Sequence, residues 1–183
     1  KLIYASNMSL DGWTEDEQGG FSWAPPSDDV FVAITDLMAS VDTYLYGRRL
    51  YNVMAVWETD ATRADRSDRT ARYASVWQAA DKVVYSSTLD EPCTATTRIE
   101  RSFDATAVRE MKAAATGDLL VGGPHLAAQA FAAGLVDEVQ LYVWPMILGG
   151  RNPALPTDQH IELDLVDHHT FPNGVVHLRY RVG

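Results

Sequence analysis

A chain of 183 residues, 46% hydrophobic and 22% charged, has the length and apolar content for one domain (residues 1–183) with a sizeable core, and it lies outside the composition of disordered chains. A formal net charge of −10 argues against nucleic acid as a partner, because phosphates are repelled. No apolar run approaches the roughly 20 residues that span a bilayer, no basic stretch followed by an apolar one marks a leader, and the lone Cys93 rules out an internal disulfide. The expected location is therefore the cytoplasm, with no membrane partner.

Residues 1–8 read as a strand carrying Leu2, Ile3 and Tyr4, closed by the turn signal Ser9-Leu10-Asp11-Gly12. Residues 13–26 are polar, contain Gly19-Gly20 and Pro25-Pro26, and read as a mobile loop. A helix follows from an N-cap at Ser27, with Val30, Phe31, Ile34, Leu37, Met38 and Val41 on one face. Residues 43–46 form a short strand ending at Gly47, and a helix starts at Arg48-Arg49-Leu50. Residues 58–72 read as a loop into a helix that runs to about Gln78.

Residues 82–86 are a buried-type strand and 96–100 another; 104–116 are helical, stopped by Gly117. Residues 118–122 form an apolar strand that runs into Gly122-Gly123, and Pro124 suits the first helical position after it. Strands follow at 138–144, 161–169 and 174–182, the last with Val176, Leu178, Tyr180 and Val182 on one face and His177, Arg179 and Arg181 on the other. Strands alternating with helices, then two consecutive strands, predict an α/β fold: a mainly parallel sheet with helices on both faces and an antiparallel C-terminal edge.

Ligands of such sheets bind beyond the carboxyl ends of the strands. Three strand ends carry suitable groups. Gly47-Arg48-Arg49 sets two guanidinium groups at a helix start, a phosphate site. Ser86-Ser87-Thr88 offers three hydroxyls. Gly122-Gly123-Pro124-His125 offers backbone N–H groups at a helix N-terminus. A ligand with a pyrophosphate and a second, separate phosphate would use all three, and NADPH is such a ligand. The dinucleotide fingerprint G-x-G-x-x-G is absent.

These segments resemble the dihydrofolate reductase superfamily, and within it the branch of the C-terminal reductase domain of bacterial riboflavin-biosynthesis proteins and its stand-alone relatives. The resemblance runs through Ser9-Leu10-Asp11-Gly12, Tyr46-Gly47-Arg48, residues 82–89, Val121-Gly122-Gly123, residues 134–139, Pro145 and Leu148-Gly149-Gly150. It implies a three-layer α/β/α fold on an eight-stranded sheet and NADPH as hydride donor. It implies that Arg48, Ser87 and Thr88 bind the 2′-phosphate, that Gly122 to Leu126 hold the pyrophosphate, and that Ala5 and Leu10 to Gly12 lie near the nicotinamide. Leu50 stands where a threonine is common, a gap that Arg49 would fill.

At the reacting end, Asp28 matches the acid that begins the first helix in dihydrofolate reductases and is the candidate catalytic residue. The alternative is an ordinary helix-start acid favoured by the macrodipole. Trp23, Val32 and Trp57 are candidate substrate neighbours, with Val32 small where a larger side chain is usual. His168 and His169 are adjacent on a strand and face opposite ways, so no metal site is expected. The expected activity is an NADPH-dependent reductase of a small heterocycle, either the pyrimidine of riboflavin synthesis or a pterin. The alternatives are a catalytically silent NADP-binding module and a dimeric scaffold; a homodimer is the expected assembly.

Overall fold

The first apolar run becomes β1 (Leu2–Ser9), and it lies inside the sheet rather than at its edge. Leu2, Ile3 and Tyr4 are all fully buried, as a strand covered on both faces requires. The computed structural model describes residues 1–183 and continues with β2 (Trp13–Glu15), α1 (Asp28–Ala39), β3 (Val41–Gly47) and α2 (Arg48–Met54). Two single-turn helices, α3 (Val56–Thr59) and α4 (Ala61–Ala64), lead to α5 (Asp68–Ala79), β4 (Asp81–Tyr85) and β5 (Thr97–Glu100). Then come α6 (Ala105–Ala114), β6 (Asp118–Gly122), α7 (Pro124–Ala132), β7 (Glu138–Trp144), β8 (Arg151–Pro153), β9 (Leu163–Thr170) and β10 (Val176–Val182).

Eight strands form one sheet in the order β5-β4-β3-β6-β1-β7-β10-β9. The first six are parallel, and β10 runs antiparallel to both β7 and β9. Helices cover both faces, so the architecture is the three-layer α/β/α arrangement with an antiparallel C-terminal edge. On one face Tyr4, Leu45, Val83, Val121 and Leu141 pack under Leu126, Ala130 and Phe131 of α7 and Val108 of α6. On the other, Ile3, Tyr44, Tyr46, Val84 and Leu120 meet Met38 of α1, Tyr51 of α2 and Tyr73 and Trp77 of α5. Trp77 is wholly buried, so its truncation to alanine costs about 3–5 kcal/mol.

Four local expectations change. Val41 opens β3 and is not on the α1 face, because α1 stops at Ala39 and Ser40 turns the chain. Residues 58–72 contain the end of α3, all of α4 and the start of α5, whose Ser67 and Thr70 form a reciprocal capping box. The expected loop after residue 12 contains β2, which pairs antiparallel with β8 across the chain: Trp13 with Pro153 and Glu15 with Arg151. Ser27 occupies the N-cap of α1, yet its side chain makes no capping bond and its Oγ is buried without a partner.

The polar face of β10 is not simply solvated. Arg179 donates through Nη2 to Glu138 at 3.0 Å, Lys1 Nζ donates to the same carboxylate at 2.9 Å, and Gln140 Nε2 at 2.7 Å. His177 stacks on Tyr142 at 4.5 Å and bonds Gln140. Burial would raise the Glu138 carboxyl, but its bonds from Arg179, Lys1 and Gln140 outweigh that and hold it at about 2.

Candidate active site

Parallel strands end along one edge of the sheet, and the topology sets two helix starts beside each other there. Tyr46 of β3 pairs with Gly122 of β6, so the first residues of α2 and α7 open side by side. The two glycines of β6–α7 have different reasons to be glycine. A Cβ on Gly122 would lie 2.6 Å from the Leu50 methyl and 2.9 Å from the Tyr46 ring, so the residue is small because its neighbours fill the space. Gly123 has φ +89°, a conformation that side chains rarely adopt, and Pro124 follows at N1 of α7. A Cβ on Gly47, the N-cap of α2, would meet open space.

A cavity of about 520 Å³ opens at this edge, and Gly47, Arg48, Arg49, Gly122, Gly123, Pro124, His125 and Leu126 all line it. Ala5 and Trp23 line it as well, so β1 and the loop before α1 reach the same space. Arg48 Nη1 donates to Thr88 Oγ1 at 2.8 Å, which brings the second helix start and the end of β4 together. Ser86 lies apart from the cavity: its buried Oγ accepts from the N–H groups of Thr88 and Leu89 and shapes the turn, while Ser87 is exposed.

Leu10, Asp11 and Gly12 do not line the cavity. Leu10 is exposed, and Asp11 accepts from the N–H of Leu148 at 3.0 Å and of Gly149 at 2.8 Å. That bond joins the Ser9–Gly12 turn to the Leu148–Gly150 loop. The Ser9 hydroxyl first, and these two N–H groups next, hold the Asp11 carboxyl at about 2.

The three remaining expectations lie outside the cavity. Asp28 is exposed and forms an ion pair with Arg69; it does not line the cavity. Val32 faces outward, while Ile34, Leu37 and Met38 from the inner side of α1 line the space. Trp57 packs on Tyr73 with ring centroids 4.6 Å apart and belongs to the core around α5.

Sequence reasoning missed the polar network on the cavity's mouth. Glu15, almost buried, is the cavity's one carboxylate; its Oε1 lies 3.0 Å from Arg49 Nη1 and its Oε2 accepts from Asn152 Nδ2 at 2.6 Å. Arg49 Nη2 also donates to the Gly19 carbonyl at 2.9 Å, and His125 Nε2 lies 3.2 Å from Asn152 Oδ1. The β2–β8 pair carries this network. Its sole advance signal was Asn152, a residue type that tolerates the positive φ of 60° it adopts. No three or more His, Cys, Asp or Glu side chains converge in a way that would hold a metal, and no helix is long and apolar enough to cross a membrane.

The eight-stranded sheet with its glycine-lined cavity at the parallel strand ends defines a dihydrofolate reductase-like fold. The chain matches the family described as the RibD C-terminal domain over residues 1–177, and it belongs to that family. YyaP of Bacillus subtilis (strain 168), an uncharacterized protein, is 28% identical over 182 residues, covering 98% of this chain and 94% of YyaP. A putative riboflavin biosynthesis protein from Shewanella sp. PV-4 superposes with a TM-score of 0.78 at 17% identity, covering 100% of this chain and 98% of that one. Dihydrofolate reductase from Enterococcus faecalis complexed with NADP(H) superposes with a TM-score of 0.66 at 10% identity, covering 100% and 96%. At these identities the two structures speak for the fold.

Proposed function

We propose that the protein is an NADPH-dependent reductase of a small heterocyclic compound with a C=N or C=O group. The single observation that carries this is the convergence of two helix starts, α2 and α7, with Arg48, Arg49 and His125 on one cavity. Helix N-termini and guanidinium groups together favour phosphate oxygens. The open space at Gly47 and the bare backbone at Gly123 leave room for a nucleotide to lie against the main chain. Arg48 with Thr88 would hold the 2′-phosphate, and the N–H groups from Gly123 to Leu126 the pyrophosphate. Ala5 would face the nicotinamide.

When bound, NADPH supplies the hydride. The chain's own residues bind, orient and exclude water: Leu50 packs under the glycines, and Trp23 and Phe21 flank the cavity from the loop before α1. Asp28 takes the helix-start role, beside Asp29 in the first turn of α1. One observation favours a second reading, a nucleotide-binding module without turnover: no carboxylate lines the β1–β7 end of the cavity. Repeated oxidation of NADPH by any heterocyclic imine or ketone decides for the reductase. The cytoplasm, suited to the exposed thiol of Cys93, and a homodimer complete the proposal. The dimer would form on the outer strand β9, where Leu165 and Val166 are 55% and 51% exposed.

The test is a titration with NADPH and NADH followed by tryptophan fluorescence. NADPH is expected to bind tenfold or more tightly, about 1.4 kcal/mol. Arg48→Ala should abolish that preference while leaving NADH affinity within about twofold. Equal affinities for both cofactors in the native protein would remove the phosphate site, and no binding of either would end the reading.

A further inference from the structure

We infer that the substrate is an uncharged, flat ring bearing a carbonyl acceptor, received by hydrogen-bond donors from Tyr142, Trp23 and Asn7, and that it carries neither a phosphate nor a protonated amidine. This rests on the proposed placement of the cofactor at the α2 and α7 starts.

The cavity divides by topology. In the strand order β3-β6-β1-β7, helices α2 and α7 follow β3 and β6, so Arg48, Arg49 and His125 all belong to that half. Glu15 is engaged there by Arg49 and Asn152. The other half is built by β1, β7, α1 and the loop before α1. The residues of these elements that line it, among them Ala5, Ser6, Asn7, Trp23, Ile34 and Tyr142, include no charged side chain. None of the three carboxylates that α1 carries lines the cavity: Asp28 pairs with Arg69, Asp36 pairs with Arg72, and Asp29 is exposed. An ionised group placed in this half would meet no counter-charge among the side chains that line it.

Apart from the Ser6 hydroxyl, whose proton goes to the Asn7 carbonyl at 3.0 Å, the polar groups that remain can donate. The Trp23 indole N–H is buried and has no partner. An indole nitrogen can only donate, so the atom it needs is an acceptor. The Trp144 indole N–H donates to Asn7 Oδ1 at 3.0 Å, which fixes the Asn7 amide with its NH₂ as the unused end. Tyr142, 3% exposed and stacked on His177 and Phe171, is a lining residue whose hydroxyl is kept protonated well above the usual tyrosine range by burial, with the Asp36 charge second. Three donors among apolar walls complement a neutral ring with a carbonyl or ring-imine acceptor.

The experiment measures binding by calorimetry, with and without saturating NADP⁺, so that no turnover is needed. The probes are quinoxalin-2-one, its carbonyl-free parent quinoxaline, a phosphomethyl derivative of quinoxalin-2-one, and 2,4-diaminopteridine as the protonatable ring. Quinoxalin-2-one is expected to bind at least fivefold more tightly than each of the other three. Tyr142→Phe should lower its affinity at least fivefold, leaving quinoxaline and NADP⁺ affinities unchanged; Trp23→Phe gives a second reading should the first variant not fold. Tenfold tighter binding of the phosphorylated or the protonatable probe would overturn the inference, as would no binding by any probe. If NADP⁺ itself does not bind, the reductase reading fails, while the ranking of the probes on the cofactor-free protein still decides the substrate class.

Discussion

Gly122→Ala isolates what the first glycine of the β6–α7 junction is for. Its added methyl would sit 2.6 Å from Leu50 Cδ2 and 2.9–3.0 Å from two carbons of the Tyr46 ring. Leu50 is half-buried and its methyl is the far end of a flexible side chain, so that contact can yield. Tyr46 cannot: it is 2% exposed, lies in the central strand β3 and stacks on Tyr44 at 5.5 Å. Overpacking of this kind costs about 1–3 kcal/mol. In a chain of this length that lowers Tm by roughly 2–4 °C for each kcal/mol.

Because Tyr46 and Leu50 also line the cavity, the same displacement should weaken NADPH binding several-fold. The measurements are urea unfolding and the fluorescence titration. Gly122→Ala combined with Leu50→Ala should recover part of the overpacking cost, leaving the double variant less destabilised than the sum of the singles. A Gly122→Ala protein within 0.5 kcal/mol of the native one, with unchanged NADPH affinity, would refute the packing argument and return the residue to the role of a bare turn.

Glu15→Gln should tighten NADPH binding several-fold, because it removes the cavity's one carboxylate charge and frees Arg49; weaker binding in that variant would show the carboxylate organises the site instead. Asp28→Asn should leave turnover within twofold and stability within about 1 kcal/mol, as for an exposed ion pair, and a tenfold fall in kcat would restore the catalytic role. Glu138 sets an acid limit. Its carboxyl is held at about 2 in the folded chain against an ordinary value of 4.5, so its stabilisation is full above about pH 4.5 and is lost as pH falls toward 2. Glu138→Gln should therefore flatten the stability profile across that window while lowering stability at neutral pH, read by chemical unfolding at a series of pH values; an unchanged slope would refute it.

The reach of sequence reasoning follows the range of the interactions involved. The sheet was legible because each strand is an apolar run bounded by its own turn residues, and the helix faces because their period is local. The junctions at Gly47 and Gly122-Gly123 were legible for the same reason: a strand end, a glycine and a helix start are consecutive in the chain. What escaped depends on partners far away in sequence. The β2–β8 pair joins residues about 138 apart, and with it came Glu15, Asn152 and the network that engages Arg49. Asp28 has the right place at the head of α1, but which way a helix-start carboxylate turns is decided by what stands opposite, and that is Arg69 on α5.

Residue type and family position point Trp57 and Val32 toward the site, whereas packing against Tyr73 and the outward turn of α1 place them elsewhere. The three residues proposed to receive the substrate come from separate elements, Asn7 from β1, Trp23 from the loop before α1 and Tyr142 from β7. Nothing in their local sequence marks them as a group. Their common property, a place in the lining of one cavity, exists only once the sheet has set β1 beside β7 and laid α1 across them. The half of the cavity at the α2 and α7 starts is written in consecutive residues, whereas the β1–β7 half is a consequence of the fold; that is why the proposed cofactor can be read from this chain before the proposed substrate can.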